Sequence, residues 1–271
     1  MTQDVWLVKH PYLQSVANLQ ALIDTAVAEI PIPATCVPSW DDYISDFHAG
    51  VPLLQSPRVA IDFRDAERIL TSMVDALASK PLPGKLRQDC RTLEAQLNGD
   101  HDSPRRAVAW LLDNDSFTPT SPGLLRYVGW TVLAHYLSPV VDAFSGWRDE
   151  ERWLRSYCPT CGALAAMAQL VGTDPGRLRF LSCGCCRTRW RYRRTGCPFC
   201  QREDDHRLAV VAVEGEAGLR IDYCEACSGY VKTYEGQGSE SVLLSDWTSL
   251  HLDIIARDRG LMRYAGSLYQ L

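Results

Sequence analysis

The chain has 271 residues, 46% of them apolar, and a formal net charge of −5. That is room for one large or two modest domains, at the composition of an ordinary folded protein. No run reaches the roughly 18 uncharged apolar residues of a membrane span, and the opening MTQDVWLVKHPYLQ has no signal-peptide core, so a cytoplasmic protein without membrane insertion is expected.

Residues 1–152 read as a helical domain. Leu13, Val16, Leu22, Ile23, Ala26, Val27 and Ile30 share one helical face, ended by Pro31 and Pro33. The stretch 37–60, with prolines 38, 52 and 57, reads mostly as loop. Phe63, Ala66, Ile69, Leu70, Met73, Val74 and Leu77 form a second stripe, stopped by Pro81 to Gly84. Leu86, Cys90, Leu93 and Leu97 mark a third helix ending at Asn98-Gly99. Ser103-Pro104 and Ser121-Pro122 each place a capping residue before a proline suited to the first helical turn. The second of these opens a very apolar helix over about 123–144, which Pro139 should kink or end.

From Cys158 the texture changes to short β-type runs, glycines and cysteines. Four Cys-x-x-Cys doublets follow: Cys158/Cys161, Cys183/Cys186, Cys197/Cys200 and Cys224/Cys227. Two cysteines on one tight turn aim both sulfurs into one space, and two such turns complete a tetrahedron. In a reducing compartment clustered cysteines favour metal over disulfides. Three of the eleven cysteines stand outside the doublets: Cys36 and Cys90, read as buried free thiols, and Cys185.

The module is duplicated. Cys158 to Cys197 and Cys161 to Cys200 are both offsets of 39, while Cys183 to Cys224 and Cys186 to Cys227 are both 41. LRFLSC (178–183) aligns with LRIDYC (219–224), and the apolar runs LAAMAQLV (164–171) and RLAVVAV (207–213) precede them. Each unit reads knuckle, strand, turn, strand, knuckle. A duplicated hairpin favours pairing inside each unit: Cys158, Cys161, Cys183 and Cys186 in one site, Cys197, Cys200, Cys224 and Cys227 in the other. An interleaved cross-brace stays open as an alternative. The repeat aligns Cys185 with Ala226, which leaves it out of the ligand set. Four thiolates in a tetrahedron suit zinc or iron, and the spacing does not choose between them.

Charge follows the same division. Residues 1–150 carry 12 basic against 19 acidic side chains, residues 151–235 carry 13 against 10. Between the units runs RTRWRYRR (187–194). Read as a strand, it puts Arg187, Arg189, Arg191 and Arg193 on one face and Trp190 and Tyr192 on the other, a candidate partner-binding surface. Its targets could be single-stranded nucleic acid, an acidic protein surface, or the acidic body of the same chain. The acidic chain as a whole makes nucleic acid the weaker reading. In the tail Trp247, Leu250, Ile254 and Leu261 fit one helical face expected to pack back on the body. The six histidines are scattered and no nucleophile–base pair or phosphate-binding glycine motif stands out, so neither an enzyme nor a small-molecule substrate is expected.

The segments YCPTCG (157–162), RFLSCGCCRTRW (179–190), CPFC (197–200), YCEACSGYVK (223–232) and DWTSLHLDIIARDRG (246–260) resemble the formate dehydrogenase accessory protein FdhE family, with a looser match at GVPLL (50–54). The resemblance implies an α+β chain: a helical domain (1–152), two tandem rubredoxin-like or zinc-ribbon units (153–193 and 194–240) and a C-terminal helical tail (241–271). It further implies a cytoplasmic, non-enzymatic factor for maturation of formate dehydrogenase that binds the catalytic subunit. The eight doublet cysteines would then hold two iron ions, one per site, with zinc as the alternative metal. A zinc-ribbon nucleic-acid binder and a rubredoxin-like electron carrier are the competing functions.

Overall fold

The computed structural model describes residues 2–32, 38–173, 176–202, 207–216, 218–237 and 245–267. Cys36, the Asp204-Asp205 pair, His206 and the last four tail residues lie outside these segments, as do Asp174, Pro175 and Ala217 of the two expected hairpin turns. No helix among the described residues is long and apolar enough to cross a membrane.

Eight helices come first: α1 (Gln3–Lys9), α2 (Gln14–Ala28), α3 (Trp40–Ala49), α4 (Arg64–Ala78), α5 (Gly84–Gly99), α6 (Ser103–Leu111), α7 (Pro122–Tyr136) and α8 (Ser138–Trp147). The α4 stripe buries as its period requires, with Ala66, Ile69, Leu70, Met73, Val74 and Leu77 all inside. Helix α7 is buried on nearly every side, as an apolar helix at the centre of a bundle must be. A Cβ on Gly129 would lie 2.2 Å from Leu111 Cδ1, so this glycine lets α6 and α7 approach. Pro139 ends α7 by starting α8, whose first turn has no use for the missing N–H.

Helix α3 stands where the proline-spaced stretch 37–60 read as loop. The prolines flank it at 38 and 52, and the ten-residue helix fits between them. Asp41 and Asp42 complement the dipole at its first turn, and Gly50 at φ +84° closes it. Tyr43 and Phe47, one turn apart, are buried. They enter an aromatic cluster with Trp40, Phe144, Trp147 and Trp153, where Phe47 stacks on Trp153 at 5.4 Å between centroids.

Six strands form one sheet: β1 (Ala165–Val171), β2 (Leu178–Cys183), β3 (Arg189–Tyr192), β4 (Leu208–Ala212), β5 (Leu219–Cys224) and β6 (Tyr230–Glu235), in the order β3-β2-β1-β6-β5-β4. Each unit is an antiparallel three-stranded meander, since a third strand follows the second knuckle. The units join through parallel pairing of β1 with β6, where Met167 faces Lys232 and Leu170 faces Glu235. Equivalent strands of the two units therefore run the same way, and the repeats stack head to tail.

The helical body and the first unit share one core, running from Ile23 and Tyr43 through α4 and α7 to Leu181, Trp190 and the first four cysteines. A second core joins the second unit to both ends of the chain, combining Trp6, Leu7 and Leu13 with Ile221, Tyr230, Tyr234, Trp247, Leu252 and Ala256. The C-terminal helix α9 (Leu250–Asp258) thus packs on the second unit and α1 rather than on the main helical body. Ile254 is 41% exposed, unlike the face expected from sequence. A 3-10 turn over Asp246–Ser249 precedes α9, and its tighter winding shifts the phase of everything after Trp247.

One ionic cluster ties this tail down. Lys232 on β6 is 1% exposed and places Nζ 2.7 Å from both Asp246 Oδ1 and Asp253 Oδ2. Arg263 bridges the same two carboxylates at 2.7 and 2.8 Å, and Tyr230 donates to Asp253 at 2.7 Å. Two cations thus meet two anions, which is what allows the charges to be buried.

Candidate metal centres

The eight doublet sulfurs gather into two groups, Cys158/Cys161/Cys183/Cys186 and Cys197/Cys200/Cys224/Cys227, with sulfurs within 4.8 Å of one another in each. Doublets come together within a unit. Sulfur separations are 3.5 Å (Cys158–Cys186) and 3.4 Å (Cys161–Cys183) in the first site, and 3.8 Å for Cys197–Cys227 and Cys200–Cys224 in the second. A tetrahedron with metal–sulfur bonds of about 2.3 Å has edges of about 3.8 Å. The donor set fits a four-thiolate metal ion, and the two clusters could each hold one.

Every knuckle is built alike. The residue after the second cysteine takes left-handed backbone in all four: Gly162 (φ +84°), Arg187 (φ +60°), Gln201 (φ +58°) and Ser228 (φ +57°). In three of them its N–H turns back to the first cysteine: Gly162 to Cys158 O at 2.9 Å, Gln201 to Cys197 O at 3.1 Å and Ser228 to Cys224 O at 2.8 Å. Only the first knuckle uses glycine, the residue that adopts this conformation without cost. Backbone N–H groups of Phe199 and Gly229 point at Cys197 Sγ and Cys227 Sγ, each at 3.4 Å.

The thiols perturb one another. Its hydrogen bonds with Cys158, Cys183, Cys185 and Cys186, together with burial, push Cys161 well up. Burial also pushes Cys186 up, but hydrogen bonds from Cys158, Cys161, Cys183 and Thr188 outweigh it and hold this thiol well below its ordinary value. In the second site burial pushes Cys197 up to about 12. Burial acts upward on Cys200 too, but the Arg202 backbone N–H and neighbouring thiols pull it down. Sulfurs this close cannot all ionise together unless a cation joins them, which is the service a divalent ion supplies.

The surroundings of the two sites differ. All four cysteines of the first are buried, and the knuckle is seated on the helical body: Leu53 and Leu54 donate their N–H groups to Pro159 O and Thr160 O, both at 2.9 Å. A Cβ at Gly162 would meet Gln55 Nε2 at 2.4 Å, and Tyr157 donates to Gly50 O at 2.7 Å. Two fully buried threonines flank the sulfurs. Thr160 and Thr188 share a 2.7 Å hydrogen bond, and Thr188 Oγ1 lies 3.1 Å from Cys186 Sγ. Their counterparts in the second unit are Phe199 and Gly229. There Cys200 is exposed and Cys227 half-buried. The tail runs alongside: Tyr264 donates to Cys227 O at 3.0 Å and packs on Phe199 at 5.4 Å, and Met262 pairs with Gly229. Met262 and Tyr264 are 54% and 44% exposed. The threonine pair and the left-handed knuckle position carried no signal in the spacing of the cysteines.

Cys185 is 1% exposed and stands outside both sulfur groups; Cys90 is 1% exposed in the helical core. The arginine stretch splits. Left-handed backbone takes Arg187 out of the strand, where it is exposed, 3.7 Å from Asp24. Arg189 lies over the Phe180 ring at 3.7 Å, and Arg191 pairs with Glu151 while its N–H donates to Glu150 at 3.0 Å. Trp190 and Tyr192 are 0% and 6% exposed, donating to Arg155 O at 3.0 Å and Cys197 O at 3.1 Å. Their rings fill the core instead of offering a stacking face. Arg193, past the strand end, is exposed. Acidic residues of the same chain, Asp24, Glu150 and Glu151, are thus the immediate partners of Arg187 and Arg191.

Residues 157–194, the first unit, match the family model for the FdhE central domain. An FdhE homologue from Aquifex aeolicus is 30% identical over 148 residues, covering 53% of this chain and 51% of that protein. One from Pseudomonas aeruginosa is 29% identical over 277 residues, covering 96% of this chain and 84% of that protein. The chain thus spans about half of the first relative and most of the second. The crystal structure of the FdhE protein from Pseudomonas aeruginosa matches with a TM-score of 0.64 at 22% identity, over 95% of this chain and 88% of that one. The fold expected from sequence is therefore present: helical region, two four-cysteine β units and C-terminal helix.

Proposed function

The chain belongs to the FdhE family, and from that premise we propose that it is a cytoplasmic accessory protein, not an enzyme, that serves maturation of formate dehydrogenase by binding its catalytic subunit. The observation that carries this reading is the unequal pair of four-cysteine sites. One is sealed into the helical body, and the other sits at the rim with Cys200 exposed beside Met262 and Tyr264. Exposed apolar side chains grouped around a rigid metal knuckle suit recognition of another protein. We assign the eight doublet cysteines as ligands of two ions, iron in the cell or zinc. Of the basic stretch we assign Arg187 and Arg193, both exposed, to partner contact. The test is deletion of the gene in its own host, with formate dehydrogenase activity assayed and tagged chain used to recover the catalytic subunit. Loss of activity and recovery of the subunit are expected. Normal activity in the deletion strain would refute the reading.

An electron-carrier role is favoured by one feature, the exposure of Cys200, since a partly open four-sulfur site could exchange electrons at the surface. It requires iron in natively produced protein and a reversible ferric/ferrous couple. Native zinc with no thiolate-to-iron absorption would remove it. The nucleic-acid reading has less support, because Trp190 and Tyr192 are buried.

A further inference from the structure

Three residues far apart in sequence meet where the chain ends converge. His10 follows α1, Glu216 sits in the β4–β5 turn, and His251 opens α9. One donor atom from each lies within 4.8 Å of the others. His10 Nε2 is 3.5 Å and His251 Nε2 3.0 Å from Glu216 Oε1, and the two imidazoles stack at 5.2 Å between centroids. Side-chain exposures are only 9%, 16% and 9% for His10, His251 and Glu216.

For a purely structural contact this arrangement is poor. Glu216 Oε2 and both ring nitrogens of His251 are buried with no hydrogen-bond partner among the described residues, the 3.0 Å approach to Oε1 lacking hydrogen-bond geometry. A buried carboxylate and two imidazole edges left in this state cost free energy. One donor atom of each nevertheless lies within 4.8 Å of the others, close enough to share one ion. Ligand bonds of about 2.1 Å in a tetrahedron give donor separations of about 3.4 Å, between the 3.0 and 3.5 Å found.

We propose that His10, Glu216 and His251 form a third metal site, taking a divalent first-row transition ion such as zinc or ferrous iron through two imidazoles and one carboxylate. Two histidines and a carboxylate are a donor set for such ions with a position left open. Tyr12 supports the assignment from outside the site. Its hydroxyl lies 3.0 Å from His10 Nδ1, so an ion held at Nε2 would leave Nδ1–H to donate to Tyr12. The ion would clamp α1, the second unit and α9 together. This site is independent of the accessory role and of the metal held by the cysteines.

The test uses untagged full-length protein whose cysteine sites are already loaded, exposed to cobalt(II) and desalted. Wild type is expected to hold one more metal per chain than Glu216→Gln, a near-isosteric change, or His251→Ala. The extra cobalt should show ligand-field bands without sulfur charge transfer. Added zinc should raise the melting temperature of wild type and leave Glu216→Gln unmoved. If a variant does not fold, the spectrum of wild type decides alone. Equal metal content in wild type and a folded variant, or no sulfur-free cobalt signal in wild type, would overturn the site.

Discussion

The two four-cysteine sites arose from one repeat and share one knuckle geometry, yet they sit in different surroundings. The inner site is walled by the helical body, backed by hydrogen bonds from Leu53 and Leu54, and lined by the Thr160–Thr188 pair. The outer site has Phe199 and Gly229 at those positions, Cys200 exposed, and the tail alongside. Duplication supplied two identical ligand sets, and what each can do is set by what packs against it. The inner site lies within the main core, and the outer one lies at the rim with Cys200 exposed.

The strongest way to break this comparison is to remove one ligand from each site. Structural four-ligand zinc contributes about 10–16 kcal/mol, against a total folding stability of about 5–15 kcal/mol. Cys161→Ala should therefore abolish the cooperative thermal transition followed by circular dichroism. Cys200→Ala should keep a transition for the helical body and lose the second unit. Equal loss of both would erase the distinction.

The second unit relies on its ionic cluster as well as its metal. Lys232→Met removes one of the two cations that meet Asp246 and Asp253 and should cost about 3–5 kcal/mol in denaturant unfolding. Burial acts to raise the Asp246 carboxyl, but Lys232 and Arg263 hold it well below its ordinary value of 3.8. A depressed folded-state pKa means its contribution is complete above about pH 4 and is lost as pH falls below that. The Asp246→Asn variant should lack this acid-dependent loss in melts taken from pH 5 downward.

A smaller effect compares equivalent knuckle positions. Gly162→Ala introduces a side chain at φ +84° against Gln55 and should destabilise by about 1–2 kcal/mol. Ser228→Gly relieves the same backbone conformation in the outer site and should stabilise by up to about 1 kcal/mol. The opposite sign in either melt would contradict the shared geometry.

Much of this was legible in the sequence because it is local or periodic. The 39- and 41-residue offsets gave the repeat and the pairing of Cys158/Cys161 with Cys183/Cys186, and the stripes of α4 and α5 gave their buried faces. Helix α3 was masked because prolines at 38 and 52 outweigh a ten-residue helix in composition. Arg187 was read on a strand because spacing cannot show the left-handed turn after a knuckle. The parallel β1–β6 seam, the second core and the meeting of His10, Glu216 and His251 all depend on residues more than thirty positions apart, beyond the reach of periodicity.

The most direct test of the central claim is a chelator challenge of the metal-loaded chain, with alkylation of released thiols mapped by mass spectrometry. The account predicts that Cys197, Cys200, Cys224 and Cys227 become modified first while helical circular dichroism persists. Cys158, Cys161, Cys183 and Cys186 should follow only as the helical signal is lost. Simultaneous modification of all eight, or release of the inner set first, would contradict it.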